Sequence, residues 1–209
     1  MKNFFIITAV VVASLLYFPD YESLKEKFED KFLIGATINQ EDYQIVDTDA
    51  RAIEIVKKDF NAVTPENSMK WMHIHPEFDE FTFSNADKIV DFAKENNMYL
   101  LGHTLVWHNQ VPDYIYNIKD KETFQDHVQK HINTVVKRYT GKVDMWDVVN
   151  EALNDDGTLR KTVFLDMLGE DYIEQAFSLA NNVDPNVALA YNDYNCLLYT
   201  SPSPRDPIG

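Results

Sequence analysis

Short apolar runs alternate with amphipathic segments through the middle of the chain, and this alternation limits the possible folds more than any other feature of the sequence. The apolar runs predict strands at Phe32–Thr37, Phe60–Thr64, Met98–Thr104, Val143–Val149 and Val187–Tyr191. Helical spacing of apolar residues predicts helices at Asp42–Lys58, Asn85–Asn96 (capped by Ser84, with Asp87 three positions on as its acidic partner), Thr123–Tyr139 and Asp171–Asn182. Strands that alternate with helices form a parallel sheet with the helices outside it, so the predicted fold class is α/β.

The spacing of the predicted strands indicates a (β/α)8 TIM barrel that is truncated after about five βα units. The strands begin at residues 32, 60, 98, 143 and 187. A barrel of this type has eight such units and typically about 250 residues. At the observed spacing, three further units need more residues than the 209 of this chain.

The two ends differ in character from residues 19–195, which are assigned to the partial barrel. Residues 1–18 begin with Met1, Lys2 and Asn3 and continue with an uncharged apolar run, which is typical of a signal peptide or an N-terminal anchor. We therefore expect a secreted or extracytoplasmic protein. Residues 196–209 are rich in proline and lack apolar periodicity, so they are expected to form a non-native or disordered tail.

The charge of the chain restricts its partners. The sequence has 34 acidic and 19 basic residues, a formal net charge of −15. A surface that binds phosphates needs clustered lysine and arginine, so nucleic acid is not expected as a partner. An acidic polysaccharide would be repelled, which favours a neutral substrate. No protein partner is predicted.

Polar and indole side chains follow four of the predicted strands, at the strand ends where α/β proteins bind ligands. Asn67, Lys70, Gln110 and Asn150 offer the amides and the cation that bind sugar hydroxyls, and Trp107 offers a flat ring for the apolar face of a pyranose. Cleavage of a glycosidic bond also needs a carboxylic acid that is protonated near neutral pH. The best candidate is the residue that follows Asn150, Glu151.

Four motifs in this order, TPENSMKW, GHTLVWHNQVP, WDVVNEA and YNDYN, resemble glycoside hydrolase family 10, the endo-β-1,4-xylanases built on a (β/α)8 barrel. The resemblance covers roughly residues 30–195. It implies that Glu151 is the general acid/base, that Asn150 binds the sugar 2-hydroxyl, that the substrate is xylan or a xylo-oligosaccharide, and that no cofactor is needed. The residues that it places in the glycone subsites are Glu66, Asn67, Lys70, His103, Trp107 and Gln110, and those that it places towards the leaving group are Asn192 and Tyr194.

One part of the family pattern has no counterpart in this sequence. A retaining glycosidase needs a second carboxylate about 5–5.5 Å from the first, acting as nucleophile. The family carries it at the end of strand seven, beyond the five strands predicted here, so no residue is assigned to it. Glu66 is not expected to substitute, because it lies two strands from Glu151. Two alternatives to a xylanase therefore stay open: an inactive fragment with at most weak carbohydrate binding, and a β-1,4-glucanase.

Histidine pairs raise the separate possibility of a metal site. His73 and His75 form an H-x-H pattern, and His127 and His131 are four residues apart on one predicted helix. The first pair has no evident third ligand, and the second lacks the glutamate of the HExxH motif. No metal is therefore expected. Trp71 and Trp146 are expected to lie in the core.

Overall fold

The computed structural model describes residues 21–38 and 50–194, and at its centre is a five-stranded parallel sheet. The strands are β1 (Gly35–Ile38), β2 (Ala62–Pro65), β3 (Tyr99–Trp107), β4 (Met145–Asn150) and β5 (Ala188–Asn192). Their order in the sheet is the same as their order in the chain, and every neighbouring pair is parallel. This arrangement of successive βα units is the one that the alternation of apolar runs and amphipathic segments predicted.

Helices connect the strands. In the described residues they are α1 (Leu24–Lys27), α2 (Ala50–Asp59), α3 (Trp71–Ile74), α4 (Ser84–Glu95), α5 (Asp113–Asn117), α6 (Lys121–Tyr139), α7 (Val163–Leu168) and α8 (Tyr172–Val183). The predicted helices correspond to α2, α4, α6 and α8, although the first part of the predicted Asp42–Lys58 helix lies outside the described residues. The four remaining helices have only four to six residues each, too few to show an apolar period.

Most element boundaries in the described residues lie one to three residues from the predicted ones, and the starts of β1 and α4 are examples. The first strand begins at Gly35 rather than Phe32, and the Phe32 side chain is 56% exposed. Ser84 does not cap α4: it is the first residue of the helix, and Phe83 occupies the cap position without a side-chain hydrogen bond. The acidic partner expected for that cap, Asp87, instead accepts hydrogen bonds from Arg138 and Tyr139 of α6. A tertiary contact thus replaces the local cap.

The core lies between the sheet and the helices. The predicted inward residues of α6 (Phe124, Val128, Val135 and Val136) are all buried, as are Trp71 and Trp146. Trp146 of β4 packs its indole directly on the backbone of β3 at Gly102. A Cβ atom added at Gly102 would lie 2.4 Å from the indole Cε3. Only glycine therefore fits at this point of β3.

We expect the substitution Gly102→Ala to lower the free energy of unfolding by about 1–3 kcal/mol, because the new methyl group would overlap the fully buried Trp146 ring. The matched control is Gly35→Ala in β1, where an added Cβ meets only ordinary contacts, the nearest at 3.7 Å. Chemical denaturation of both variants measures the difference. Wild-type stability of the Gly102 variant would show that the indole can move aside at little cost.

A buried stack of rings joins α3, the segment that follows it, and α6. The centres of the Trp71 and His131 rings lie 3.8 Å apart and the ring planes are almost parallel, and the centre of the His75 ring lies 3.9 Å from that of the Phe81 ring. His75 and His131 are fully buried. In the part of the chain that the structure describes, no three His, Cys, Asp or Glu side chains are grouped so as to hold a metal ion. His75 and His131, one from each of the two pairs that raised the possibility of a metal site, thus belong to an aromatic stack.

The ends that were predicted to be a signal or anchor (residues 1–18) and a tail (residues 196–209) lie outside the described residues. Within residues 21–38 and 50–194, no helix combines the length and the apolar character that a membrane crossing requires.

Candidate active site

The carboxyl ends of three neighbouring strands are aligned in one row. In the strand register, Trp107 at the end of β3 pairs with Asn150 at the end of β4, and Asn150 pairs with Asn192 at the end of β5. Because the strands are parallel, all three side chains lie at the same edge of the sheet. This row places polar groups from three of the four sequence motifs in one region.

Glu151 lies next to this row, and its backbone has an uncommon conformation. Its φ angle is +54°, in the left-handed region that residues with a Cβ rarely adopt. The Glu151 N–H donates to the carbonyl of Asn192 at 2.9 Å, which holds the turn against β5. The half-buried carboxylate accepts a hydrogen bond on Oε2 from the indole Nε1 of Trp107, at 2.9 Å. Glu151, the residue that was predicted to act as acid/base, is therefore held by hydrogen bonds at both its backbone and its carboxylate.

Asn150 connects Glu151 to the next strand. It is almost fully buried, and its side-chain amide contacts the amide of Asn192 at 2.7 Å. The same Asn150 amide lies 3.2 Å from the Trp107 Nε1 atom. The indole thus lies within hydrogen-bond distance of both Glu151 and Asn150, and the four residues form one continuous polar group.

A second polar group lies after β2 and is connected to the first through Trp107. Lys70 is buried, and its Nζ donates to the Asn67 Oδ1 at 2.9 Å, while Gln110 Nε2 donates to the same oxygen at 3.2 Å. His73 Nε2 is 3.0 Å from Gln110 Oε1. The Lys70 ammonium also lies 4.7 Å from the centre of the Trp107 ring, within cation–π distance. A buried cation beside an indole and two amides is well suited to bind hydroxyl groups.

His103 interacts with a carboxylate that the sequence reading did not select. Its Nδ1 lies 2.8 Å from the Oδ2 of Asp147, which is only 5% exposed. Asp147 lies in the interior of β4, between Trp146 and Val148. A charged residue inside an otherwise apolar strand was the signal that could have identified it, because such a charge is seldom buried without a partner.

Comparison with known proteins is consistent with the motifs and the geometry. Residues 23–200 match the family described as glycosyl hydrolase family 10. The chain belongs to this family. The β-1,4-xylanase of Dictyoglomus thermophilum is 46% identical over 175 residues, which are 83% of this chain and 48% of that protein. Endo-1,4-beta-xylanase B of Paenibacillus barcinonensis is 42% identical over 193 residues, which are 89% of this chain and 55% of that protein.

Solved structures give the same family and the same fold. The crystal structure of xylanase 10B from Thermotoga petrophila RKU-1 in complex with xylobiose superposes with a TM-score of 0.80 at 42% identity, covering 86% of this chain and 55% of that one. Native xylanase 10B from Thermotoga maritima gives a TM-score of 0.79 at 44% identity. The chain spans about half the length of the relatives that it matches. Its five βα units thus confirm the predicted (β/α)8 class as part of a longer barrel.

Two of the residues that the family resemblance selected lie apart from the group around Trp107. Glu66 follows β2, two strands from β4, and its side chain is exposed. Tyr194, beyond the end of β5, is 44% exposed, and its hydroxyl accepts a hydrogen bond from Arg160 Nη2 at 2.8 Å. The selected residues that the structure brings together are Asn67, Lys70, His103, Trp107, Gln110, Asn150, Glu151 and Asn192.

Tyr191 supports the turn that follows Glu151. This contact was not predicted from the sequence. The Ala152 N–H donates to the hydroxyl of Tyr191 at 3.1 Å, and that hydroxyl donates to the Asp193 carboxylate. Burial raises the pKa of Tyr191, and the nearby Asp193 carboxylate raises it further. The hydroxyl therefore stays protonated and anchors the residue after Glu151. Burial lowers the pKa of His108, the residue after Trp107, and the nearby Arg160 lowers it further.

Proposed function

We propose that this chain carries the acid/base side of a retaining endo-1,4-β-xylanase, which hydrolyses internal β-1,4 bonds of xylan. The observation that carries the proposal is the hydrogen bond between Trp107 and Glu151, in register with Asn150 and Asn192. It puts a carboxyl group, an indole and two amides at the carboxyl ends of adjacent barrel strands, the position where barrel enzymes carry their active sites.

In the proposed mechanism Glu151 first acts as an acid and then as a base. An indole N–H only donates, so Trp107 occupies Oε2 of Glu151 and leaves Oε1 to carry the proton. That proton passes to the glycosidic oxygen as the bond to the leaving sugar breaks. The carboxylate that remains then takes a proton from the water that hydrolyses the glycosyl-enzyme. Asn150 binds the 2-hydroxyl of the sugar being cleaved, a contact that strengthens in the transition state.

The remaining groups bind the glycone side of the substrate. Lys70, Asn67 and Gln110 offer donors and acceptors to sugar hydroxyls, and the half-buried face of Trp107 supports a ring. The nucleophile, a second carboxylate about 5–5.5 Å from Glu151, is proposed to come from a later strand of the barrel. His103, held by Asp147, borders the same edge of the sheet.

The choice of substrate is supported by charge and by the relatives. A net charge of −15 disfavours an acidic polymer, and xylan built of xylose is neutral. The matched relatives are named β-1,4- and endo-1,4-beta-xylanases, and the Thermotoga petrophila neighbour was crystallised with xylobiose. Secretion, which the apolar residues 1–18 suggest, would place the enzyme where the polymer is found.

Sugar binding by the chain tests the proposed function. We expect xylohexaose to bind in a calorimetric titration and the substitution Lys70→Met to weaken binding roughly 10-fold to 100-fold, because a hydrogen bond from a charged donor is worth about 1.5–3 kcal/mol. Lys161→Met, which removes an exposed lysine from the loop before α7, is the matched control and should bind as the wild type does.

Two other outcomes would contradict the proposal. Tighter binding of cellohexaose than of xylohexaose would favour a β-1,4-glucanase instead. Failure of both sugars to bind a folded chain would favour a fragment without a sugar site.

A further inference from the structure

Arg160 joins the backbone of Glu151 to the end of β5. Its Nε donates to the Glu151 carbonyl at 3.0 Å, and its Nη2 donates to the Leu153 carbonyl at 2.7 Å and to the Tyr194 hydroxyl at 2.8 Å. The guanidinium carbon also lies 5.5 Å from the centre of the Tyr194 ring. A single side chain thus contacts the acid/base residue, the loop after it and the neighbouring strand end.

The loop after β4 returns Arg160 to this position. Leu153 and Leu159 form an antiparallel bridge, and the Arg160 N–H donates to the Ala152 carbonyl at 2.7 Å. Arg160 therefore lies beside Glu151 although the two are nine positions apart in the chain. Among the hydrogen bonds of this loop, the one from the Arg160 guanidinium reaches the Glu151 carbonyl.

Both backbone polar groups of Glu151 are bound from outside its own strand. Its N–H donates to the Asn192 carbonyl, and its carbonyl accepts from Arg160. This matters because the φ angle of +54° is unfavourable for glutamate by about 1–3 kcal/mol and persists only where the surroundings fix it. The side-chain direction of Glu151 follows from that φ angle, and so does its contact with Trp107.

We propose that Arg160 is a positioning residue for Glu151, holding the left-handed turn that directs the carboxyl group to the Trp107 indole. A contribution of Arg160 to catalysis rests on the proposed function, whereas its positioning of Glu151 does not. Arginine suits this role because its planar group directs several donors at fixed angles, whereas lysine offers one flexible ammonium. Tyr194, which the family resemblance places towards the leaving group, accepts from the guanidinium and is its second anchor.

The indole resonances of the chain provide a direct test. There are three tryptophans, Trp71, Trp107 and Trp146, so a ¹H–¹⁵N spectrum of the full chain shows three indole signals, and Trp107→Phe assigns the one of interest. We expect Arg160→Met to displace the Trp107 signal and to leave the signals of the two core tryptophans in place. Lys161→Met, the same change at the adjacent position, should displace none of them.

A double-substitution cycle separates positioning from general loosening. If Arg160 acts through Glu151, Arg160→Met should add no displacement of the Trp107 signal once Glu151→Ala has removed the side-chain contact with the indole. Arg160→Lys should return part of the wild-type shift. An equal displacement in both backgrounds, or an unmoved Trp107 signal in a folded Arg160 variant, overturns the proposal.

The same spectra keep the two proposals distinct. Xylohexaose should displace the Trp107 signal of the wild-type chain if the proposed function is right. If xylohexaose does not displace the Trp107 signal, the result counts against the xylanase assignment. The displacement of that signal by Arg160→Met can still be measured in the same chain.

Discussion

Replacement of Glu151 by glutamine should lower kcat/KM for xylotetraose by about 10²-fold to 10⁴-fold, the usual contribution of a general acid. The amide keeps the shape of the side chain and can still accept from the Trp107 indole, but it has no acidic proton to give to the leaving sugar. The loss should therefore fall on the chemical step and leave sugar affinity largely intact.

The leaving group distinguishes this effect from a loss of folded enzyme. In a 2,4-dinitrophenyl xylobioside the dinitrophenolate departs without protonation, so kcat/KM for this substrate should fall far less in the Glu151→Gln variant. Glu170→Gln, the same change at an exposed glutamate in the loop before α8, is the control and should leave both substrates unaffected. The measurement needs a polypeptide that carries the complete barrel, because this chain spans about half the length of its relatives. Unchanged turnover of xylotetraose by the variant would remove Glu151 from the mechanism.

The parts of the structure that the sequence predicts well are those determined by local pattern. Apolar periodicity located α6 and its four inward residues, since each of them contributes to one continuous buried face. The same kind of pattern located the strands, although their observed ends lie one to three residues beyond the predicted ones. Parallel pairing then brings Trp107, Asn150 and Asn192, at the observed ends, into one row. The need for a carboxyl group at a strand end selected Glu151, and the resemblance of the motifs gave it the role of acid/base.

The parts that the sequence did not predict depend on contacts between distant residues. Asp147 is distinguished by its pairing with His103 of the neighbouring strand, and Arg160 by its return to Glu151 through a loop. The expected cap at Ser84 failed for the same reason, because Asp87 bonds to α6 instead. A pattern along one segment carries no information about such partners until the tertiary structure places them.

Acid should destabilise the folded chain through the buried ring stack. Burial lowers the pKa of His75 to about 4, and burial likewise lowers the pKa of His131 well below its usual value. His75 faces His127 and Lys130, whose charges oppose its protonation, and Asp79, which favours it more weakly. One ring nitrogen of His75, Nδ1, is buried without a hydrogen-bond partner, so a proton there would gain no acceptor.

The direction of the pH effect follows from proton binding. In the unfolded chain His75 takes up its proton near pH 6.5, while the folded chain resists protonation until about pH 4. The stabilisation is therefore complete above pH 6.5 and is lost as the pH falls towards 4, by about 3 kcal/mol for His75 alone. His131 shifts in the same direction and adds to the loss.

The variant His75→Phe isolates this contribution. A phenyl ring can still stack on Phe81, and the Phe78 carbonyl that His75 contacts keeps its bond to His127. Between pH 5 and 6.5, the slope of the unfolding free energy against pH should therefore decrease by up to about 1.4 kcal/mol per pH unit, the slope that one titrating proton gives. The slope that remains should come from His131.

Phe81→Leu is the matched control, because it weakens the same stack without removing a titrating group. It should lower the stability at every pH and leave the slope unchanged. Urea denaturation at a series of pH values measures both quantities. Identical slopes for the wild type and His75→Phe would mean that His75 accepts its proton inside the folded protein, so that burial in the stack does not keep it neutral.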